Sequence, residues 1–387
     1  MTYDLLIKGG TLIDPAQRIH AKRDVAFADG AVACVGDDLP KGEAREVLDA
    51  SDRIVTPGLI DLHVHVFYGV GHFGIEPDPT CLAKGATTVV DAGSSGADNF
   101  TGFRRYVIEV SETSIFAYLN VSSQGMMTEE IGEFEMPEYA NVSKACQMIE
   151  KHRDLILGVK ARLTRHKIAS ERSGLTPLYR AREAADAAGL PIMIHPQNAW
   201  CDSLDDILAV MKERDVLTHC FHDRACGIMD EDGNVRKSVH EAMERGVIFD
   251  VGHGAGSFSW EIAERAMAQG VQPQTISSDL HSFNVNGPVY DLANVVTKFL
   301  HLGMRLDDAI AKVTSVPAEV ILMPDKIGTL AVGAWGDAIV SELRKGEFQL
   351  ADSRGAVRTG RQKFVPVTVV KGGRVYRQHV QLKWGGR

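Results

Sequence analysis

Hydrophobic and polar positions change their rhythm twice along the chain. The first fifty-odd residues run as short alternating segments broken by Gly, Asp and Pro: DLLIKGGTLID, DVAFADGAVACVG and REVLDASDRIVTPG. Period-two alternation between turn residues predicts a small β-domain. From Gly58 the apolar segments become β-branched and alternate with stretches of helical period, the pattern of repeated βα units around a parallel sheet. Eight strand candidates follow: GLIDLHVHV, ATTVVDAGS, SIFAYLNVS, ILGVKARL, PIMIHPQ, VLTHCFH, VIFDVGHG and TISSDLH. Between them TPLYRAREAADAAG places Leu178, Ala181, Ala184 and Ala185 on one helical face and stops at Gly189. SLDDILAVMKER begins with Ser203 at a capping position, and KSVHEAMERG and SWEIAERAMAQG each close on glycine.

Eight such units predict an α/β fold, a closed (β/α)8 TIM barrel spanning 58–324. A doubly wound open sheet is the competitor, but the glycine-rich dinucleotide turn after its first strand is missing. After about Pro324 the β-texture returns in KIGTLAVGAWGDAIVSEL and KFVPVTVVKGGRVYRQ. Residues 1–57 and 325–387 are therefore expected to meet in one composite β-sandwich, since neither alone carries enough apolar surface for a core.

Composition changes this picture little. With 44% hydrophobic and 24% charged residues the chain is an ordinary globular protein, and a net charge of -9 argues against a nucleic-acid partner. No apolar run reaches the ~18 residues of a membrane span. MTYDLLIKGGTLID reads as a strand and turn, not a signal peptide, so a cytoplasmic location is the default expectation. Six dispersed cysteines without a CxxC pair read as free thiols, a disulfide framework being the weaker alternative. Homo-oligomerisation is left open.

The candidate chemistry sits on the barrel strands. His63 and His65 are two apart in a strand, so their side chains share a face. An isolated HxH among 14 histidines carries little weight. However, His195, His219 and Asp279 stand at or near the ends of strands five, six and eight, the face where barrel enzymes build their sites. Together they form a ligand set for a zinc-like divalent cation. Lys160 interrupts an apolar strand, where an ammonium is costly unless it snorkels or pairs with a carboxylate. Two nearby cations would instead favour its neutral amine, which can take up carbon dioxide as a bridging carbamate.

This order of residues resembles the amidohydrolase superfamily: HxH on strand one, Lys on strand four, His on strands five and six, Asp on strand eight. IVTPGLIDLHVH and GTLAVGAWGDAIV match its entry and exit motifs. The resemblance implies two divalent metal ions, zinc foremost. His63, His65 and Asp279 would hold the more buried one and His195 and His219 the more exposed one, with carbamylated Lys160 bridging. It implies hydrolysis by a metal-bridging hydroxide with Asp279 as general acid and base.

Within the superfamily the chain is similar to the dihydroorotase-like branch. Dihydroorotases carry an arginine two residues after the second histidine of HxH to grip the substrate carboxylate; here Phe67 stands there. That departure argues against a true dihydroorotase. The resemblance to the amidohydrolase/deacetylase group implies removal of acetyl from a small acetylated carboxylic acid. This would be an O-acetyl α-hydroxy acid of the acetyl-mandelate kind or an N-acetyl α-amino acid. A cyclic amidase of dihydroorotase or hydantoinase type is the alternative, and a non-catalytic metal-binding scaffold is the alternative of another class. For substrate contacts, Arg162 shares a strand face with Lys160 and either anchors a carboxylate or closes a salt bridge. Gln197, Asn198 and Trp200 are candidate pocket walls. His253, in the loop GHGAGSF, points inward or belongs to a tight turn. His281 is two beyond Asp279, while His222 and Cys220 pack or line the site.

Overall fold

The computed structural model describes residues 2–377; the part of the C-terminal β-segment in 378–387 lies outside them. Seven strands form one parallel sheet in sequence order: Leu59–Val64, Ala86–Ala92, Ser114–Asn120, Ile156–Arg162, Ile192–His195, Val216–Leu217 and Ile248–Phe249. The eighth candidate, TISSDLH, closes the ring by the parallel bridges Asp250↔Thr275 and Val64↔Leu280 rather than by a continuous ladder. Its backbone is diverted because Ser277 and Ser278 bond buried carboxylates, Asp250 and Asp61, and Asp279 turns left-handed at φ 48°. Strand six is short for a similar reason: His219 leaves the ladder at φ 62°.

The helices obey their end signals. Thr176–Ala188 buries Leu178, Ala181, Ala184 and Ala185 and stops at Gly189, φ 67°, a conformation with no penalty for glycine. Ser203 caps Leu204–Leu208 by accepting from the Asp205 N–H. That helix is shorter than SLDDILAVMKER predicts. The Asp215 carboxylate takes the Lys212 N–H at 2.6 Å, which pulls the chain out of helical geometry.

The two chain ends share a β-structure. One sheet orders the strands Ala31–Gly36, Asp24–Ala28, Tyr3–Lys8 and Ala44–Asp49. The other runs Arg374–Val375, Val357–Lys371, Ala338–Ala351, Ile54–Pro57, Thr11–Asp14 and Ile19–Lys22. Leu5, Ile7 and Phe27 from the start and Val340 and Val370 from the end lie in one buried cluster. The late hairpin also reaches beyond that cluster to the barrel. Asp352 accepts the Trp260 N–H at 3.1 Å, and the Phe364 N–H donates to Thr297 Oγ1 at 3.1 Å. Among the described residues no helix is long and apolar enough to cross a membrane.

Candidate metal centre and substrate pocket

At the C-terminal mouth of the barrel lies a pocket of about 540 Å³, with His63, His65, Lys160, His195, His219 and Asp279 among its lining residues. Period-two strand geometry aims His63 and His65 at one point, where Asp279 Oδ1 lies 3.4 Å from His63 Nε2 and 3.2 Å from His65 Nε2. These three offer ligand atoms all within 4.8 Å of one another. His219 packs against both His63 and His195, with ring centroids 5.0 and 4.4 Å apart.

Hydrogen bonds fix which imidazole nitrogen is free. His219 Nδ1 lies 2.6 Å from the Gly252 carbonyl, which only accepts, so that nitrogen carries the proton and Nε2 keeps its lone pair. Thr218 Oγ1 donates its single proton to Asp250 Oδ2 at 2.8 Å and must therefore accept from His63 Nδ1, also at 2.8 Å. His65 Nδ1 meets Ser94 Oγ at 2.9 Å. Burial, reinforced by neighbouring cations, holds His63, His65 and His195 far below the usual imidazole range; burial brings His219 to about 3. All four are neutral, the form in which an imidazole can ligate a metal ion.

Lys160 is fully buried and its Nζ has no hydrogen-bond partner. Burial pushes its pKa down to about 7, so the neutral amine is within reach. The residue that follows strand two leaves no slack: a Cβ on Gly93, φ 89°, would sit 2.6 Å from Lys160 Cγ. This orphaned amine beside four neutral imidazoles and a carboxylate fits a divalent-metal centre.

The substrate candidates divide. Arg162 lines the pocket with one nitrogen committed to Glu133 Oε1 at 2.6 Å, while Asn120 holds the other Glu133 oxygen. Both alternatives for it are thus present: a salt bridge and a guanidinium at the pocket. Gln197, Asn198 and His281 also line it. His281 Nδ1 accepts the Phe283 N–H, leaving Nε2–H as a donor, and burial lowers its pKa to about 4.

His253 does not belong with them. Left-handed turns at Gly252 and Gly254 send it outward, where it stacks on Phe258 at 4.6 Å and meets Lys298 Nζ at 2.7 Å. Trp200 donates to the Ala169 carbonyl, His222 accepts the Arg224 N–H, and Cys220 is in the core. Phe67 is likewise turned away from the pocket, 4.8 Å from Phe103, and does not line it. The sequence reading missed Phe73, Lys167, Arg224 and Phe283, pocket residues of irregular loops that no period marks.

The chain matches the amidohydrolase family profile over residues 54–376. It is 34% identical to a deacetylase of Enterococcus faecalis over 381 residues, 97% of this chain and all of that protein. It is 33% identical to a deacetylase of Agrobacterium fabrum, covering 89% and 84% of the two chains. Among solved structures an adenine deaminase superposes with TM-score 0.89 at 32% identity, covering 97% of this chain and all of that one. A dihydroorotase superposes with TM-score 0.85 at 31% identity, covering 96% and 98%. With its barrel, its terminal β-sheets and its pocket of histidines, the chain belongs to the amidohydrolase family and is a hydrolase of that superfamily.

Proposed function

We propose that the protein is a metal-dependent deacetylase acting on a small acetylated carboxylic acid, an O-acetyl α-hydroxy acid in preference to an N-acetyl α-amino acid. The observation that carries this reading is one pocket in which the His63–His65–Asp279 cluster shares the lining with the guanidiniums of Arg162 and Arg224, and with Lys167, which lies 3.7 Å from Glu129. Such a pocket favours an anionic substrate whose scissile carbonyl lies at the histidines. The similarity to two proteins named deacetylases supports the acetyl group. Phe67, buried where dihydroorotases carry an arginine, weighs against a cyclic ureide.

His63, His65 and Asp279 would hold one divalent ion and His195 and His219 a second, zinc foremost, with carbamylated Lys160 between them. Such ions supply a water of lowered pKa and polarise an ester or amide carbonyl. Asp279 takes the proton of the attacking water at its carboxylate and returns it to the leaving oxygen or nitrogen. An amide nitrogen needs that proton more than an ester oxygen does. Arg162, oriented by Glu133, pairs with the substrate carboxylate, and Phe73 and Phe283 cover its α-substituent.

Zinc-loaded protein is to be assayed against O-acetyl 2-hydroxy acids, N-acetyl amino acids and cyclic ureides. Turnover of the first class, above the second, is expected. Turnover of ureides alone overturns the proposal in favour of a cyclic amidase. Metal-free protein after gentle purification, with no turnover on reloading, would support a scaffold instead.

A further inference from the structure

Two cysteines outside the histidine cluster meet across the pocket rim. Cys201 follows strand five and Cys226 follows strand six, and their Sγ atoms lie 3.3 Å apart. Each loop also carries pocket residues, Gln197 and Asn198 on one and Arg224 on the other. The loops are already tied by the Asn198 N–H to the Ala225 carbonyl at 3.0 Å. Arg236 bridges them as well, donating through Nε to the Gly227 carbonyl and through NH1 to Ser203 Oγ, both at 3.1 Å.

The geometry points to a redox modification site: Cys201 and Cys226 form a reversible disulfide that resets the substrate pocket. Bringing the sulfurs from 3.3 Å to about 2 Å asks the loops to close by only about 1 Å. Cys226 is the attacking group. The hydrogen bond from Cys201, with the Arg165 and Arg236 guanidiniums nearby, holds its thiol below the usual value. Cys201, the more exposed of the two, stands beside it as the resolving thiol.

With a peroxide as oxidant, the Cys226 thiolate attacks one peroxide oxygen and the O–O bond breaks. The leaving hydroxide takes the thiol proton and departs as water, leaving a sulfenic acid. Cys201 sulfur then attacks that sulfur: the S–S bond forms, the S–O bond breaks, and hydroxide leaves with the Cys201 proton as a second water. Two thiols are oxidised and one peroxide is reduced to two waters. The closure shifts Asn198 and Arg224 against the pocket, which weakens the hold on an anionic substrate rather than the bond-breaking step.

Full-length protein, reduced and then treated with hydrogen peroxide, tests this. Thiol titration after denaturation is expected to fall from six to four, with a mass loss of two hydrogens and a Cys201–Cys226 cross-linked peptide. Dithiothreitol restores all six. With O-acetylmandelate as probe, KM rises severalfold on oxidation with kcat little changed. Neither Cys201→Ser nor Cys226→Ser forms the disulfide or shows its rise in KM: Cys226→Ser keeps its remaining thiols, whereas Cys201→Ser stops at the Cys226 sulfenic acid, one thiol lost and one oxygen gained without a cross-link. Six thiols remaining, oxygen addition without cross-linking, or a different cysteine pair overturns the site. A Cys201–Cys226 disulfide with unchanged KM overturns its effect on the pocket. The effect on KM rests on the deacetylase reading, whereas the thiol and mass measurements need no substrate, so failure of the two is distinguishable.

Discussion

Replacing Thr218 by valine removes one hydroxyl that orients a metal-ligand candidate. Thr218 Oγ1 accepts from His63 Nδ1 and donates to Asp250 Oδ2, each at 2.8 Å, and it is fully buried. In Thr218→Val a methyl of similar size faces the imidazole N–H, which loses its partner where water cannot replace it. Asp250 keeps Thr275 and Ser277, both at 2.7 Å, so the unpaired group is His63. A buried donor left unpaired costs about 1–3 kcal/mol. Losing an orienting partner of a ligating histidine costs about 10–100-fold in metal affinity, roughly 1.4–2.8 kcal/mol. The unpaired N–H weakens the metal-free and metal-bound folds alike, so the desolvation cost is read in Tm and the orienting role in metal affinity. Competition for zinc against a chromophoric chelator measures it, with thermal unfolding of the metal-free protein as a control for folding. Thr218→Ser should recover most of the affinity. If Thr218→Val binds zinc as tightly as the parent while only its Tm falls, the hydroxyl is a packing element and the orienting role is wrong.

Gly93→Ala should destabilise the fold by about 1–3 kcal/mol in denaturant unfolding, because a Cβ at φ 89° meets the Lys160 stem. Lys160→Ala in the same chain should relieve part of that cost, and additive losses would contradict the clash. In metal-free protein the four buried histidines stay neutral while their unfolded counterparts protonate below about pH 6.5. The unfolded state then binds more protons, so Tm should fall as pH drops from 7 to 5. Lys160 acts with the same sign higher up, neutral in the fold above about 7 and protonated when unfolded until about 10, so stability should keep rising across that window. A flat Tm profile across both windows would contradict the neutral assignments. Arg162→Met should raise KM for an acetylated acid by about tenfold or more, the loss of a charged hydrogen bond, with kcat changed far less. An unchanged KM would return Arg162 to a purely structural salt bridge with Glu133.

Strand period explains why much of the pocket was legible. His63 with His65, and Lys160 with Arg162, share faces because residues two apart in a strand must, and each pair lines the pocket. The same rule fails where the backbone leaves the ladder. His219, next in sequence to Thr218 that meets His63, would point away from it by alternation, yet φ 62° turns it back against His63 and His195. Glu133, which orients Arg162, lies in an irregular stretch between a strand and a helix, where no period exists to be read. Cys201 and Cys226 show the deeper limit. Neighbouring strands of a parallel barrel end on the same face, so the loops after strands five and six must approach each other whatever their separation in sequence. A search for close cysteine spacing cannot see that approach. The fold class, combined with each cysteine's offset past its own strand, can, and it turns two of six dispersed thiols into a pair between two loops that line the pocket.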